Sequence, residues 1–204
     1  MFKIAVLASG SGSNLQSIID NIENGFLDCK IDMIVGSKEG IYALERGKKN
    51  NIDTFVISRK EYGQGTSDKI LELAREREID LIVLAGYLSI LDGELLKEYK
   101  DRIINIHPSL IPSFCGDKMY GLNVHKAAIN KGVKVSGCTV HFVNDEVDGG
   151  EIILQEAVPV HFEDTPEELQ KRVLVKEHKL LPLAIKYISE GKIEIKSGRV
   201  NILK

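Results

Sequence analysis

The stretch Asn105-Ile106-His107-Pro108-Ser109-Leu110-Ile111-Pro112 holds the residue types best suited to chemistry in this chain. It follows the apolar pair Ile103-Ile104 and contains two prolines, the pattern of a buried strand running into a rigid loop. In an extended segment residues i and i+2 point to one side, so the Asn105 amide and the His107 imidazole can face a single cavity. An amide N–H and an imidazolium aimed at one carbonyl oxygen stabilise an oxyanion. A turn-capping asparagine followed by an internally bonded loop histidine has the same pattern, and the stretch alone does not separate the two readings. Asp148, ahead of Gly149-Gly150, is a third candidate. Alone it reads as a turn former. Close to His107, its carboxylate would favour the charged imidazolium, which could pass a proton to an oxyanion or a leaving amine near neutral pH.

A second signal lies near the start. The apolar run Phe2 to Leu7 is followed by Ala8-Ser9-Gly10-Ser11-Gly12-Ser13-Asn14. A helical pattern then runs to about Asn24, with Leu15, Ile18, Ile19 and Ile22 on one face. Strand, glycine turn and helix together aim backbone N–H groups and a helix dipole at an anion. Counted from Gly10, the third glycine position of a dinucleotide fingerprint is Leu15, so a single phosphate group is the better match. A tight turn with no ligand is the alternative.

These groups need elements to hold them. Strands are predicted at Ile31–Val35, Thr54–Ile57 and Leu81–Ala85, and again before Asn105. Between them lie a helical stretch at Ile41–Arg46 and a helix to about Glu78 capped by Thr66 or Ser67. The Gly86–Leu91 turn and a short helix at Glu94–Tyr99 follow. Ser58–Gly65 reads as a polar, mobile loop. The alternation predicts a doubly wound, mostly parallel α/β sheet with the Gly10–Gly12 turn, the Gly86 turn and the Asn105 loop along one edge. Beyond Gly121 come a helix at Asn123–Asn130 and strands at Ser136–Val143 and Ile152–Val160. The latter flank an acidic turn and form an antiparallel or wide-looped continuation of the sheet. A helix starting at Thr165-Pro166 should kink or end at Pro182, and Ile193–Ile195 with Val200–Leu203 form a terminal hairpin. No linker or repeat interrupts residues 1–204, which are read as one domain.

The net charge of −3 argues against a general nucleic-acid binder. No apolar run approaches a membrane span, and Met1–Leu7 is too short for a signal segment. Three widely spaced cysteines suit reduced thiols in the cytoplasm, and neither they nor the five histidines have metal-ligand spacing.

Asn105-x-His107-Pro108-Ser109-Leu110-x-Pro112, Val140-His141-Phe142-Val143 and Asp148-Gly149-Gly150-x-Ile152-x-x-Gln155 resemble the formyltransferase family that uses 10-formyltetrahydrofolate. Ser9-Gly10-x-Gly12-Ser13-Asn14-Leu15-Gln16 resembles its branch acting on glycinamide ribonucleotide in purine synthesis. The resemblance runs from the first strand to Glu177-His178, with the motifs in the family's order. It implies a Rossmann-like formyltransferase fold with a phosphate-binding half at about residues 1–100 and a folate-binding, catalytic half at about 101–204. It implies catalytic roles for Asn105, His107 and Asp148, and contacts to the ribonucleotide from Gly12, Ser13, Asn14 and Glu177. The folate pocket would be built from Leu88, Ser89, Ile90, Leu91, Asn105 and Asn144, with 10-formyltetrahydrofolate as co-substrate and no metal. Small molecules are the expected partners, with neither nucleic acid nor membrane, and no motif sets the oligomeric state. The chain departs from the pattern at Ser89, where many members have arginine. It also lacks an aligned phosphate-contacting arginine near Gly63–Gly65, for which Arg59 or Lys60 is the substitute at hand. A longer loop at Cys115–Gly121 could bring Cys115 to the lip of the site or leave it an ordinary loop cysteine. The nearest rival is a hydrolase of 10-formyltetrahydrofolate, which shares the Asn, His and Asp but usually carries an added N-terminal regulatory domain. An initiator-tRNA formyltransferase would need a basic RNA-binding extension. A non-catalytic nucleotide sensor would keep the glycine turn without needing the other three residues.

Overall fold

The computed structural model describes residues 1–204. Short β-branched runs alternate with amphipathic helices. They form β1 (Phe2–Ala8), α1 (Ser13–Glu23), β2 (Cys29–Gly36), α2 (Tyr42–Lys49) and β3 (Asp53–Val56). Next come α3 (Arg59–Tyr62), a 3-10 turn (Gly63–Gly65), α4 (Thr66–Glu76), β4 (Leu81–Leu84), α5 (Gly93–Glu98) and β5 (Ile103–His107). The chain continues through α6 (Leu122–Lys131), β6 (Val135–Phe142), β7 (Ile152–Pro159) and α7 (Pro166–Ser189) to a hairpin of β8 (Ile193–Lys196) and β9 (Arg199–Ile202).

The main sheet has seven strands in the order β3-β2-β1-β4-β5-β6-β7. β1 to β5 pair in parallel, and β6 and β7 are added antiparallel. The doubly wound, mostly parallel α/β sheet with a C-terminal hairpin is therefore as expected, and the open choice at β6–β7 resolves to antiparallel pairing. Alternate strand residues feed two cores. Ile4, Val6, Val83, Ile104 and Ile106 pack under α1 and α7 with Leu15, Ile18, Leu181 and Ile185. Ala5, Leu7, Ile82, Leu84 and Ile103 pack under α4 and α5 with Ile70 and Leu95. The period of two in β5 thus places Asn105 and His107 on the α4–α5 side of the sheet, with Ile106 on the other. No helix is long and apolar enough to cross a membrane.

Three local expectations change. Ser58–Gly65 is not an unstructured loop: Ser58 accepts a bond from the Glu61 N–H at 3.2 Å and caps α3, which leads into the 3-10 turn. Neither Thr66 nor Ser67 caps α4, whose N-cap is Gly65. Thr66 Oγ1 donates to the Gly63 carbonyl at 2.8 Å, and Ser67 Oγ accepts from the Asp92 N–H at 3.0 Å. Pro182 does not end α7, which is one helix from Pro166 to Ser189. A proline inside a helix leaves the carbonyl four residues earlier without its donor. Here that carbonyl is His178's, and Ser17 Oγ on α1 donates to it at 2.6 Å. The start of α7 is as expected, with Thr165 and Glu168 forming a capping box and Pro166 in the first turn.

Ser17→Ala should therefore leave a carbonyl unpaired and cost about 1–3 kcal/mol in urea unfolding. In a Pro182→Ala background the restored N–H of residue 182 takes that carbonyl, and the loss should shrink. An equal loss in both backgrounds would show that Ser17 acts by something other than replacing the missing donor.

Candidate active site

Antiparallel pairing of β5 with β6 sets Asn105 directly opposite His141, and His107 opposite Thr139. Opposed residues on one face of a sheet have side chains in reach. Asn105 Nδ2 lies 3.2 Å from His141 Nε2, while His141 Nδ1 lies 2.7 Å from the Phe142 carbonyl. A carbonyl only accepts, so Nδ1 carries the proton. Neutral His141 then has a lone pair on Nε2 to receive the Asn105 amide. Burial drives His141 below the ordinary histidine range. It outweighs the opposing pulls of the Phe142 carbonyl and Asp148, and the neighbouring His107 adds to it.

Asp148 sits between the two histidines. Its Oδ2 is 3.6 Å from His107 Nδ1 and its Oδ1 is 3.6 Å from His141 Nε2, with only a tenth of its side chain exposed. The Gly116 N–H donates to Oδ2 at 2.9 Å. His107 Nε2 lies 2.9 Å from the Phe114 carbonyl. One ring nitrogen of His107 thus faces a carbonyl and the other lies near a carboxylate, so Nε2 carries a proton and Nδ1 is left toward Asp148. Asp148 has φ 57° and Phe114 φ 53°, left-handed conformations that cost about 1–3 kcal/mol each in non-glycine residues. Gly150 is required by close approach, since a Cβ there would strike the Phe142 carbonyl. Cys115 does lie at this lip, between the two loop residues that hold His107 and Asp148. Burial, then the Asp148 charge, pushes its thiol up and away from thiolate chemistry. Buried His125 from α6 is held down to about 4 by burial and by His107, so it stays neutral beside the site.

The glycine turn opens at the same sheet edge. Ser9 is tied to the next loop through its N–H to the Gly86 carbonyl at 3.1 Å and its Oγ to the Leu88 N–H at 2.9 Å. Gly12 (φ 71°) caps α1 without a side-chain bond, and the first intrahelical donor is Gln16, so the Ser13, Asn14 and Leu15 N–H groups are open. A Cβ on Gly12 would lie 2.8 Å from the Ala43 Cα. Packing against α2 therefore requires glycine here whether or not a ligand binds. The Asn14 side chain is turned from the turn to Glu177, with Nδ2 to Oε2 at 2.7 Å. Of this residue only the N–H is left for an anion. The basic residue at the turn is Arg46 of α2, with Nε 2.9 Å from the Ser11 carbonyl and Nη1 2.7 Å from Gln16 Oε1. It lines a cleft of about 330 Å³ with Ser13, Gln16, Ser17, Asp20 and His178. Arg59 does not take this place; it reaches the Ile90 carbonyl at 3.4 Å, beside the expected folate wall. In that wall Leu88 and Ile90 are exposed, Ser89 is half-buried, and Leu91 is turned into the core with Leu95. Leu91 therefore turns its side chain away from the surface that Leu88 and Ile90 present. Asn144 is exposed, and its Oδ1 accepts from the Glu146 N–H at 2.9 Å to close a turn before Asp148.

The structure thus brings Asn105, His107 and Asp148 together, and separately joins Asn14 to Glu177. His141 and Arg46 were not assigned roles from the sequence. His141 lies in the Val140-His141-Phe142-Val143 run, but its position opposite Asn105 depends on strand register. Arg46 lies more than thirty positions from the turn it braces. No set of three or more His, Cys, Asp or Glu side chains is placed to hold a metal ion.

Glu177 is deeply buried, and burial raises its carboxyl above the usual range against the lowering effect of the Asn14 amide. Such a group costs stability wherever it is charged both folded and unfolded, and the cost is relieved as pH falls through the folded value. Glu177→Gln should therefore melt higher than wild type at neutral pH, with the gap closing on acidification. A variant less stable at neutral pH would contradict this.

The family model described as formyl transferase matches residues 2–185. The phosphoribosylglycinamide formyltransferase of Haemophilus influenzae is 42% identical over 200 residues, covering 97% of this chain and 92% of that protein. The trifunctional purine biosynthetic protein adenosine-3 of Gallus gallus is 41% identical over 204 residues, but the chain spans only 20% of its length. The crystal structure of glycinamide ribonucleotide transformylase 1 from Symbiobacterium toebii superposes with a TM-score of 0.94 at 40% identity, covering 100% of this chain and 95% of that one. With this fold and these matches, the chain belongs to the formyl transferase family.

Proposed function

We propose that this protein transfers the formyl group of 10-formyltetrahydrofolate to the amine of glycinamide ribonucleotide, a step of purine synthesis. The observation that carries the reading is the Asn105–His107–Asp148 group, built at the same strand edge as an open, arginine-braced helix start. β1 and β5 are separated by β4 alone, so the turn and the histidine are about 10 Å apart at roughly 4.8 Å per strand. A sugar phosphate with a short amine arm bridges such a gap. The phosphate sits on the Gly12, Ser13 and Asn14 N–H groups beside Arg46, and Glu177 takes the ribose hydroxyls. The folate lies against Leu88, Ser89 and Ile90 and reaches Asn105, with Asn144 at the rim. Residues 1–204 act as one domain whose two halves share the site. On this reading the protein works in the cytoplasm on small molecules, with neither nucleic acid nor membrane as partner.

The amine nitrogen attacks the formyl carbon, a C–N bond forms, and the carbonyl electrons move onto oxygen. One N–H of the Asn105 amide is held by His141, and the other is free for that oxyanion. At 3.6 Å the His107–Asp148 contact is an ion pair without a committed hydrogen bond, so the Nδ1–H can turn to the oxyanion. Collapse restores the carbonyl and breaks the bond to N10 of the folate, which takes the His107 Nδ1 proton; the proton that Asp148 receives from the amine then passes to His107 and restores the pair. The attacking amine loses its proton through water to Asp148.

Purified protein should form formylglycinamide ribonucleotide from the two substrates. Asn105→Ala should lower kcat by about 10²–10³ while leaving the fold intact. Formate release without the acceptor, faster than transfer to it, would favour the hydrolase reading. Near-normal turnover of a folded Asn105→Ala protein would remove Asn105 from the mechanism.

A further inference from the structure

We infer that His141 is a positioning residue for the transfer, a neutral imidazole whose Nε2 lone pair orients the Asn105 amide toward the reacting oxygen. The inference rests on the proposed function for what the amide does, and on geometry alone for how the amide is held. A terminal amide can be placed either way round, and only one way presents a donor to an oxyanion. The register places His141 opposite Asn105, and the ring's own Nδ1 is committed to the Phe142 carbonyl at 2.7 Å. Nε2 is therefore an acceptor 3.2 Å from the amide nitrogen. Reversing the amide would set its oxygen against that lone pair and near the Asp148 carboxylate, which lies 3.6 Å from the same nitrogen. Repulsion on both sides excludes the reversed form, and the second N–H is left pointing into the site. His141 is 2% exposed, which keeps solvent from reorienting the pair.

The neutrality of His141 has a second effect. Asp148 faces both His107 and His141, and a charged His141 would draw the carboxylate to itself. Its burial favours the uncharged ring, as does the neighbouring His107. The negative charge is then reserved for His107. One imidazole of the pair works as a fixed acceptor and the other as the cation.

Three measurements test the inference. Glutamine can place an amide oxygen near the position of Nε2, whereas leucine fills similar volume without an acceptor. His141→Leu should lower kcat roughly tenfold, the weight of one neutral hydrogen bond, with KM for both substrates little changed. His141→Gln should keep most of the wild-type kcat. In an Asn105→Ala background His141→Leu should cost nothing further. Glutamine as poor as leucine, or a leucine loss undiminished without Asn105, would overturn the inference. Nitrogen NMR of the wild type at neutral pH should show His141 protonated on Nδ1 alone; the other tautomer or the cation would overturn it without any assay. Should the leucine variant not fold, the glutamine variant and the spectrum decide. Should the wild type transfer no formyl group, the proposed function fails, while the His141 tautomer still decides how the amide is held.

Discussion

A carboxylate taken out of water must be paired and hydrogen-bonded or it will not stay charged, and the arrangement of this site follows from that requirement at Asp148. Its Oδ2 faces His107 and accepts the Gly116 N–H, while its Oδ1 faces His141. The two imidazoles are not equivalent. His141 gives its Nδ1 proton to the Phe142 carbonyl and is kept uncharged by burial, while His107 gives its Nε2 proton to the Phe114 carbonyl and turns Nδ1 to Asp148. With His141 held uncharged by burial, the imidazole left to face the carboxylate is His107. The strained backbone at Phe114 and Asp148 fits the same view, since those residues carry the carbonyl and the carboxylate that flank His107.

The fold supplies this by changing strand direction at the right point. Parallel strands β1 to β5 collect the loops at one edge, and the order reverses between β1 and β4, where crevices open in sheets of this kind. The Ser9 bonds to Gly86 and Leu88 span that crevice and join the glycine turn to the expected folate wall. Antiparallel β6 then brings His141 alongside Asn105. α7 packs against α1 to set Glu177 against Asn14, at the cost of a buried carboxyl group and an interior proline whose orphaned carbonyl Ser17 takes. Stability is given up near the glycine turn, as is common where a site is built.

Much of this was legible in the sequence, because alternation of β-branched runs with helical periodicity depends on local pattern. The strands around Ile4, Ile34 and Val83, and the capped start of α7, are of that kind. Asn105 and His107 could be placed on one face because the period of a strand is local too. What could not be read depends on partners distant in the chain. His141 gains its meaning from register, Arg46 from packing of α2 on the glycine turn, and Pro182 is tolerated only because Ser17 lies on a different helix. Leu91 shows the converse limit. It continues an apolar turn whose neighbours Leu88 and Ile90 face solvent, and only the packing of α4 and α5 reveals that it belongs to the core.

The central claim is that Asp148 holds His107 as a cation in position to serve an oxyanion. Nitrogen NMR of His107 at neutral pH, in wild type and in Asp148→Asn, tests this most directly, because the substitution keeps the shape and removes the charge. The account predicts that the His107 ring carries less positive charge in Asp148→Asn than in wild type at the same pH, with formyl transfer falling in step. A His107 ring with the same protonation in both proteins would contradict it.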